Sequence, residues 1–153
     1  GRSGLIRHYL GNREDLVRAL VERLFAQGLE EMPTDWSAIS REEIVEHILI
    51  ELFDPVTEEQ EHFQILLKAL WMTHERDNET RKLLHQLHAE WLHLLQIGLT
   101  QAYPDASKEK CESVAYALLC MADGHFSMES LALRETSEVS IREAASQLIE
   151  TLA

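Results

Sequence analysis

The sequence is short of several residue types, and each shortage narrows what the chain can be. Among its 153 residues are 6 glycines and 3 prolines, few for a β-rich chain with many tight turns. No apolar run approaches the roughly 20 residues that span a bilayer, so no membrane partner is expected. The two cysteines, Cys111 and Cys120, lie nine positions apart in one helical segment. That spacing puts them about 13 Å apart along the axis, too far for a disulfide, and we expect a reducing, cytoplasmic location.

Positive charge is also scarce, and it is unevenly placed. The chain has 14 Lys and Arg against 27 Asp and Glu, which gives a net charge of −13. Residues 1–24 hold five arginines and three acids, net +2, whereas the remaining residues carry −15. An acidic surface of that size repels a polyanion such as DNA. The opening stretch is therefore the region expected to approach phosphates.

Helical periodicity and helix-start signals run through the whole chain, whose hydrophobic content of 45% suits a globular domain. Asn12 is placed to cap a first helix, whose apolar face is expected to comprise Leu16, Val17, Leu20, Val21 and Leu24. Later starts follow the capping pattern of a hydroxyl residue and, three positions on, Glu or Gln, at 40–43, 57–60 and 140–143. The helices expected lie over about 13–29, 41–53, 58–74, 83–103, 107–133 and 141–153. No stretch alternates with a β period, so an all-α fold is predicted.

The first sixteen residues, GRSGLIRHYLGNREDL, have a distinctive order. Ser3 and Gly4 precede two aliphatic residues and His8-Tyr9-Leu10, and a Gly-Asn turn leads to Arg-Glu-Asp-Leu. This order resembles the end of the helix-turn-helix in TetR-family transcriptional repressors, where an aromatic-rich segment closes the recognition helix and the next helix opens with Lys-Glu-x-Leu. Arg7 replaces a usual aromatic, Leu10 replaces Phe, and Arg13 replaces Lys while keeping its charge.

The resemblance implies a TetR-like helical bundle with a truncated helix-turn-helix followed by a regulatory helical domain. Residues 1–29 are expected to be the remnant of the DNA-binding domain with its connecting helix, and 30–153 the ligand-binding and dimerisation domain. The chain does not begin with Met, and two further helices are expected before Gly1. The partner implied is operator DNA, with early residues of the recognition helix on base edges and later ones on phosphates. The DNA-binding residues expected are Arg2, Ser3, Gly4, Arg7, His8, Tyr9 and Arg13.

The second domain is expected to bind a small-molecule effector between its helices, because pockets in helical bundles form there. Trp71 and Trp91 can stack on a flat or cationic ligand. The same residues can instead be ordinary core. The candidate ligand-binding residues are Phe63, Leu67, Leu70, Trp71, His74, Leu87, His88, Trp91, Met121, His125 and Phe126.

A homodimer is also expected, because a two-fold protein matches a palindromic operator. The segment LLCMADGHFSMESLAL and the final helix resemble the two helices through which subunits of this family dock as a four-helix bundle. Packing within one chain is the alternative. The dimer-interface residues expected are Ala115, Leu118, Leu119, Ala122, Leu131, Ala144, Ala145, Leu148, Ile149 and Leu152, with Leu133 on the same face.

Other functions have weaker support in the sequence. Glu59-x-x-His62 and Glu90-x-x-His93 match a di-metal carboxylate motif, but about one such pair is expected by chance. His85-x-x-His88 is an equally weak metal clip. No catalytic residue, metal or cofactor is predicted. The expected function is a regulator that represses transcription and releases its operator on binding a small molecule; a helical protein-interaction module without DNA binding is the main alternative.

Overall fold

The structure is a computed structural model that describes residues 13–31, 35–54, 57–72, 75, 77–130 and 140–153. Every regular element in these ranges is a helix, which confirms the predicted all-α fold for this part of the chain; the TetR-like arrangement stays a prediction. The helices are α1 (Arg13–Glu31), α2 (Arg41–Phe53), α3 (Glu58–Trp71), α4 (Asn78–Ala102), α5 (Lys108–Ser130) and α6 (Ile141–Glu150).

Two of the helices begin with the capping box that the sequence predicts. The Ser40 hydroxyl accepts a hydrogen bond from the Glu43 N–H at 3.2 Å, and the Glu43 carboxylate accepts one from the Ser40 N–H at 2.9 Å. Thr57 and Gln60 repeat this arrangement at the start of α3. Ser140 does occupy the N-cap of α6, but its side chain makes no capping hydrogen bond, so that part of the prediction is wrong. The backbone ψ of Ser140 is 128°, against 160° at Ser40.

The chain divides into two compact units. The first comprises residues 1–33 and 56–89 and contains α1, α3 and the beginning of α4. Helix α1 packs against α3. Among its described residues, the buried apolar side chains are Val21, Phe25, Leu67, Leu70, Leu83, Leu84 and Leu87.

The buried face of α1 differs from the one predicted. Val21 and Phe25 are buried and Val17 is half-buried, whereas Leu16 is 45% exposed and Leu20 39%. Positions 17, 21 and 25 share one stripe at a spacing of four, and 16 and 20 share the adjacent stripe, about 100° away around the helix. Helix α3 covers one stripe only, so the leucine pair that completes the sequence pattern is left exposed.

The second unit comprises residues 34–55 and 90–153 and contains α2, the rest of α4, α5 and α6. Helix α6 packs on both α2 and α5, and α2 packs on α5. Its core is larger than that of the first unit. The buried members are Trp36, Ile44, Ile48, Leu49, Phe53, Leu95, Leu99, Ala102, Tyr103, Cys111, Val114, Ala115, Leu118, Leu119, Ala145, Ile149 and Leu152.

Polar contacts fix α6 on its neighbours. Arg142 forms ion pairs with Glu46 of α2 and with Asp54, the residue after α2. Lys110 of α5 donates to the carbonyl oxygen of Thr151 at the end of α6. A forked guanidinium between two carboxylates is directional, so it sets the register of α6 that apolar packing alone leaves loose.

Two further expectations concern cysteines and domains. Both thiols are free, Cys111 buried and Cys120 exposed, as their spacing predicted. The predicted domain boundary between residues 29 and 30 separates expected functions, DNA binding from ligand binding, and it stays a prediction. The compact units follow packing, and the boundary between them falls inside α4, after Ala89.

Candidate functional site

Of the residues expected to bind DNA, only Arg13 is described. It is exposed and is the first residue of α1. Arg2, Ser3, Gly4, Arg7, His8 and Tyr9 lie outside the described residues. Arg23, farther along α1, is also exposed. The described part of the expected DNA-binding segment thus presents an exposed positive charge at the start of α1.

Arg18, the remaining arginine of α1, is part of a polar cluster. We call it the Arg18 cluster, and its members are Asp15, Arg18, Asp77 and Thr80. One guanidinium nitrogen of Arg18 binds the Asp15 carboxylate, and the other binds the Asp77 carboxylate and the Thr80 hydroxyl, the latter at 3.1 Å. Thr80, which is fully buried, donates to the Asp77 carboxylate at 2.8 Å. Asp77 also accepts from the Glu79 N–H at 3.1 Å at the start of α4.

The electrostatics of the Arg18 cluster favour a charged Asp77. The hydrogen bond from Thr80 lowers the pKa of this carboxyl below its usual value, and the Glu79 amide and the Arg18 charge act in the same direction. Desolvation opposes them without reversing the shift. The guanidinium therefore remains paired at neutral pH, and α1 stays tied to the residue that precedes α4.

Seven of the predicted ligand-binding residues belong to the first unit. Leu67, Leu70 and Leu87 are buried in its core. The Trp71 ring is 45% exposed and meets the His88 ring edge-on, with centroids 5.5 Å apart. The remaining member with a described side chain, Phe63, is half-buried, and His74 lies outside the described residues.

The Trp71–His88 pair is the chemically richest part of this group. Nδ1 of His88 lies 2.8 Å from the carbonyl oxygen of Leu84. A carbonyl oxygen only accepts, so Nδ1 carries the proton and Nε2 is the acceptor of the neutral ring. Because Nε2 of His88 is buried, the exposed Trp71 indole is the part of the pair that can stack on a flat or cationic ligand.

The other four predicted ligand-binding residues belong to the second unit, and all are half-buried. Trp91 and Met121 pack against the core. The His125 ring lies 6.4 Å from the Phe53 ring, and its Nε2 is 3.2 Å from the Glu129 carboxylate. Phe126 follows on α5. Contacts with core and neighbouring side chains already occupy much of this group.

Six of the predicted dimer-interface residues are core residues of a single chain, which is the alternative that the sequence left open. α5 and α6 turn these buried residues towards each other and towards α2. The buried ones are Ala115, Leu118, Leu119, Ala145, Ile149 and Leu152. Ala122, Ala144 and Leu148 are half-buried, and Leu131 and Leu133 lie outside the described residues.

The opposite side of α5 is exposed and carries a row that sequence reasoning missed. Tyr116 (62% exposed), Cys120, Gly124 and Met128 (52% exposed) follow one another at a spacing of four, and we call this row the α5 outer face. A Cβ built on Gly124 meets nothing within 4 Å. The hydrogen bond between Cys120 and Tyr116 raises the pKa of the tyrosine. The spacing of four is visible in the sequence, but the predicted interface followed the more apolar row of α5, which forms the core.

The second unit also contains a small cavity that the sequence did not predict. Its volume is about 130 Å³, and Arg41, Tyr103, Asp105 and Leu152 are among its lining residues. Arg41 donates through Nε to the Ala102 carbonyl at 2.7 Å and lies 4.6 Å above the Tyr103 ring. Pockets for drug-sized ligands hold about 300–1,000 Å³. This cavity fits a few waters and not the expected effector.

The metal motifs do not assemble into a ligand set in the described part of the chain, where no group of three or more His, Cys, Asp or Glu side chains converges. His62, His85 and His93 are exposed, and the Glu59 side chain lies outside what is described.

In the described part of the chain, no helix combines the length and apolarity needed to cross a membrane. Comparison with protein-family profiles, curated proteins and solved structures finds no match to this chain.

Proposed function

We propose that the chain acts as a ligand-responsive transcriptional regulator similar to the TetR family, a cytoplasmic homodimeric repressor that releases its operator when a small molecule binds. The observation that carries the proposal is the junction at Arg13. The sequence that resembles the end of a helix-turn-helix runs directly into a helix that begins at this exposed arginine. In the family pattern a cation stands at the same point.

The charge distribution supports this orientation on DNA. Residues 1–24 carry +2 and the rest of the chain −15. Phosphates attract the first and repel the second, so the chain would meet DNA end-on through its opening segment. Arg2 and Ser3 would contact base edges, Gly4 would allow a close approach, and Arg7, His8, Tyr9 and Arg13 would bind backbone phosphates.

The exposed leucine pair of α1 also supports a domain packed on this helix. Leu16 and Leu20 lie one turn apart on a face that α3 leaves uncovered. A further helix packed on this face would bury both leucines. The helices expected before Gly1 are the natural cover.

For the effector we propose the Trp71–His88 pair as the contact, which favours a small flat or cationic molecule. Binding would stabilise one arrangement of the first unit, and α1 would move the two recognition helices out of register with successive major grooves. The free energy of that shift cannot exceed the difference in ligand affinity between the two arrangements.

For the homodimer we propose the α5 outer face in place of the core residues first predicted. An isologous pair of antiparallel α5 helices, with the two-fold axis near position 122, would bring Tyr116 of each protomer close to Met128 of the other. A thioether against an aromatic ring is a favourable contact. Tyr116→Glu should then convert a dimer to a monomer in sedimentation, whereas Gln147→Glu on the exposed side of α6 should not.

DNA binding is tested on the whole reading frame, expressed from its start codon. The protein is used to select sites from random duplexes, and affinity is measured against salt. Arg13→Ala should weaken binding to all sequences and reduce the salt slope by about 1.8, because each phosphate contact contributes about 0.9 and a homodimer loses two. Arg2→Ala should relax base preference instead. Lys108→Ala, which removes an exposed cation in the second unit, is the control and should change neither.

The effector is sought by thermal shift with small hydrophobic and aromatic cationic compounds. A compound at about 100 times its Kd stabilises the protein by about 2.7 kcal/mol. Trp71→Ala should remove the shift, while Ile65→Ala, which truncates another exposed residue of α3, should keep it. The ligand role of this pair is refuted if every stabilising compound acts equally on Trp71→Ala.

A helical interaction module without DNA binding is the second candidate, and the α5 outer face favours it. An exposed tyrosine, cysteine and methionine in one row can dock a protein partner as well as a second copy. This candidate predicts that the complete protein, dimeric or not, binds no duplex even at low salt. Two helix-turn-helix helices in the preceding reading frame would count against it.

A further inference from the structure

The Arg18 cluster has no role in the function as proposed so far, although it is the most strongly built polar feature of the first unit. Thr80 is the one fully buried polar residue in the described part of the chain. It lies between Arg18 of α1 and Asp77, which precedes α4. The cluster thus joins α1 to the start of α4. The two residues in contact, Arg18 and Asp77, are 59 positions apart in the sequence.

Apolar packing alone leaves the rotation of α1 loosely defined. α1 rests on α3 through Val21 and Phe25. Such contacts are non-directional and define the rotation of a helix less sharply than a hydrogen bond does. A rotation of 20° moves a group on the rim of a helix by about 2 Å. That displacement is enough to break a charge-assisted hydrogen bond, whose usual length is about 2.7–2.9 Å.

We propose that Arg18 is a positioning residue: its fork between Asp15 and Asp77 fixes the rotation of α1 and thereby the direction in which the segment before Arg13 is presented. This inference rests on the proposed DNA-binding function and concerns how that function is regulated. Asp77 caps α4, the helix that carries His88. A movement of the α4 start therefore reaches α1 through a single guanidinium, and the cluster links the proposed effector contact to the proposed DNA contact.

The test compares two arginine-to-lysine changes of the same chemistry. Lysine keeps the positive charge but presents one ammonium group in place of the fork, so it cannot hold two carboxylates in fixed directions. Arg18→Lys removes the fork in the first unit. Arg142→Lys removes the matching fork between Glu46 and Asp54 in the second unit and is the control. Asp77→Asn attacks the same cluster from its other side.

Hydrogen exchange of the chain as it stands gives the first readout. Arg18→Lys and Asp77→Asn should raise amide exchange along α1 several-fold and leave α2 and α6 unchanged, whereas Arg142→Lys should leave α1 unchanged. Wild-type exchange along α1 in both cluster variants would overturn the proposal. This readout needs no DNA, so it decides the clamp on α1 even if the proposed function fails.

DNA affinity of the complete protein gives the second readout. Arg18→Lys should weaken binding to the selected site by roughly five- to tenfold, in the range typical of coupling between sites. The salt slope should not change, because Arg18 touches no phosphate; Arg13→Ala lowers that slope. An equal loss in Arg142→Lys would show a general stability effect and refute the positioning role, and a lower slope in Arg18→Lys would show a direct phosphate contact and refute it too. Wild-type protein without DNA affinity would refute the proposed function instead.

Discussion

Replacing Gly98, a buried residue of α4, with alanine has two opposing effects on the free energy of unfolding. Helix propensity raises it, and crowding against α2 lowers it. A Cβ built there lies 3.3 Å from Cδ1 of Ile48 and 3.7 Å from Cγ2 of Ile44, two buried residues of α2. The first distance is shorter than an ordinary carbon–carbon contact of about 3.5–4.0 Å. Ile48 must therefore shift to admit the methyl group. At Gly124, in the middle of α5, the same methyl group meets nothing within 4 Å.

The two glycines separate helix propensity from packing. Alanine is favoured over glycine in a helix interior by about 1 kcal/mol, so Gly124→Ala should raise the free energy of unfolding by about that amount. At Gly98 the same gain is opposed by overpacking, which costs about 1–3 kcal/mol in a filled core. We expect a net loss of about 1 kcal/mol for Gly98→Ala, and thus a difference of about 2 kcal/mol between the two variants.

The assay is urea unfolding followed by far-ultraviolet circular dichroism, at a concentration where sedimentation shows a single protomer. Ile48→Val removes the atom 3.3 Å from the new methyl group. Alone it should cost about 0.5–1.5 kcal/mol, and in the Gly98→Ala background it should cost less, because it relieves the crowding. If Gly98→Ala stabilises the protein as much as Gly124→Ala, or if the double variant shows simple additivity, the packing of α4 on α2 at this point is not as described.

Three further predictions concern caps, core and pH. Ser40→Ala should lower the free energy of unfolding by about 1 kcal/mol, whereas Ser140→Ala, which loses no capping hydrogen bond, should stay near wild type in the same urea titration. Leu118→Ala should cost about 3 kcal/mol by leaving a cavity, and Tyr116→Ala on the exposed side of α5 should stay within about 0.5 kcal/mol; equal effects would contradict the orientation of the helix. Hydrogen bonds from Ser40 lower the pKa of Glu43, so its contribution is complete above the unfolded value of about 4.3 and is lost as pH falls through the folded value. Glu43→Gln should therefore lose less stability than wild type when unfolding at about pH 3 is compared with unfolding at about pH 6.

Much of the helical layout could be read from the sequence, because its signals are local. The capping boxes at Ser40 and Thr57 involve residues three positions apart, and both form as predicted. The contacts of the candidate site could be predicted less well from the sequence. Arg18 could be counted as one more cation near the amino terminus, but its partner Asp77 is 59 positions away. No local pattern identifies which distant carboxylate closes such a contact.

By itself the sequence determined the class of fold, since periodicity and capping act within one or two turns of a helix. Only the tertiary structure decided which face of each helix is buried. Around α5, Ala115 and Leu118 lie on one side and Tyr116 and Met128 on another, and all are apolar enough to enter a core. Packing against α2 and α6 selects Ala115 and Leu118 because a helix buries only the stripe that its neighbours reach. The same selection exposes Leu16 on α1 and draws Arg18 into a cluster.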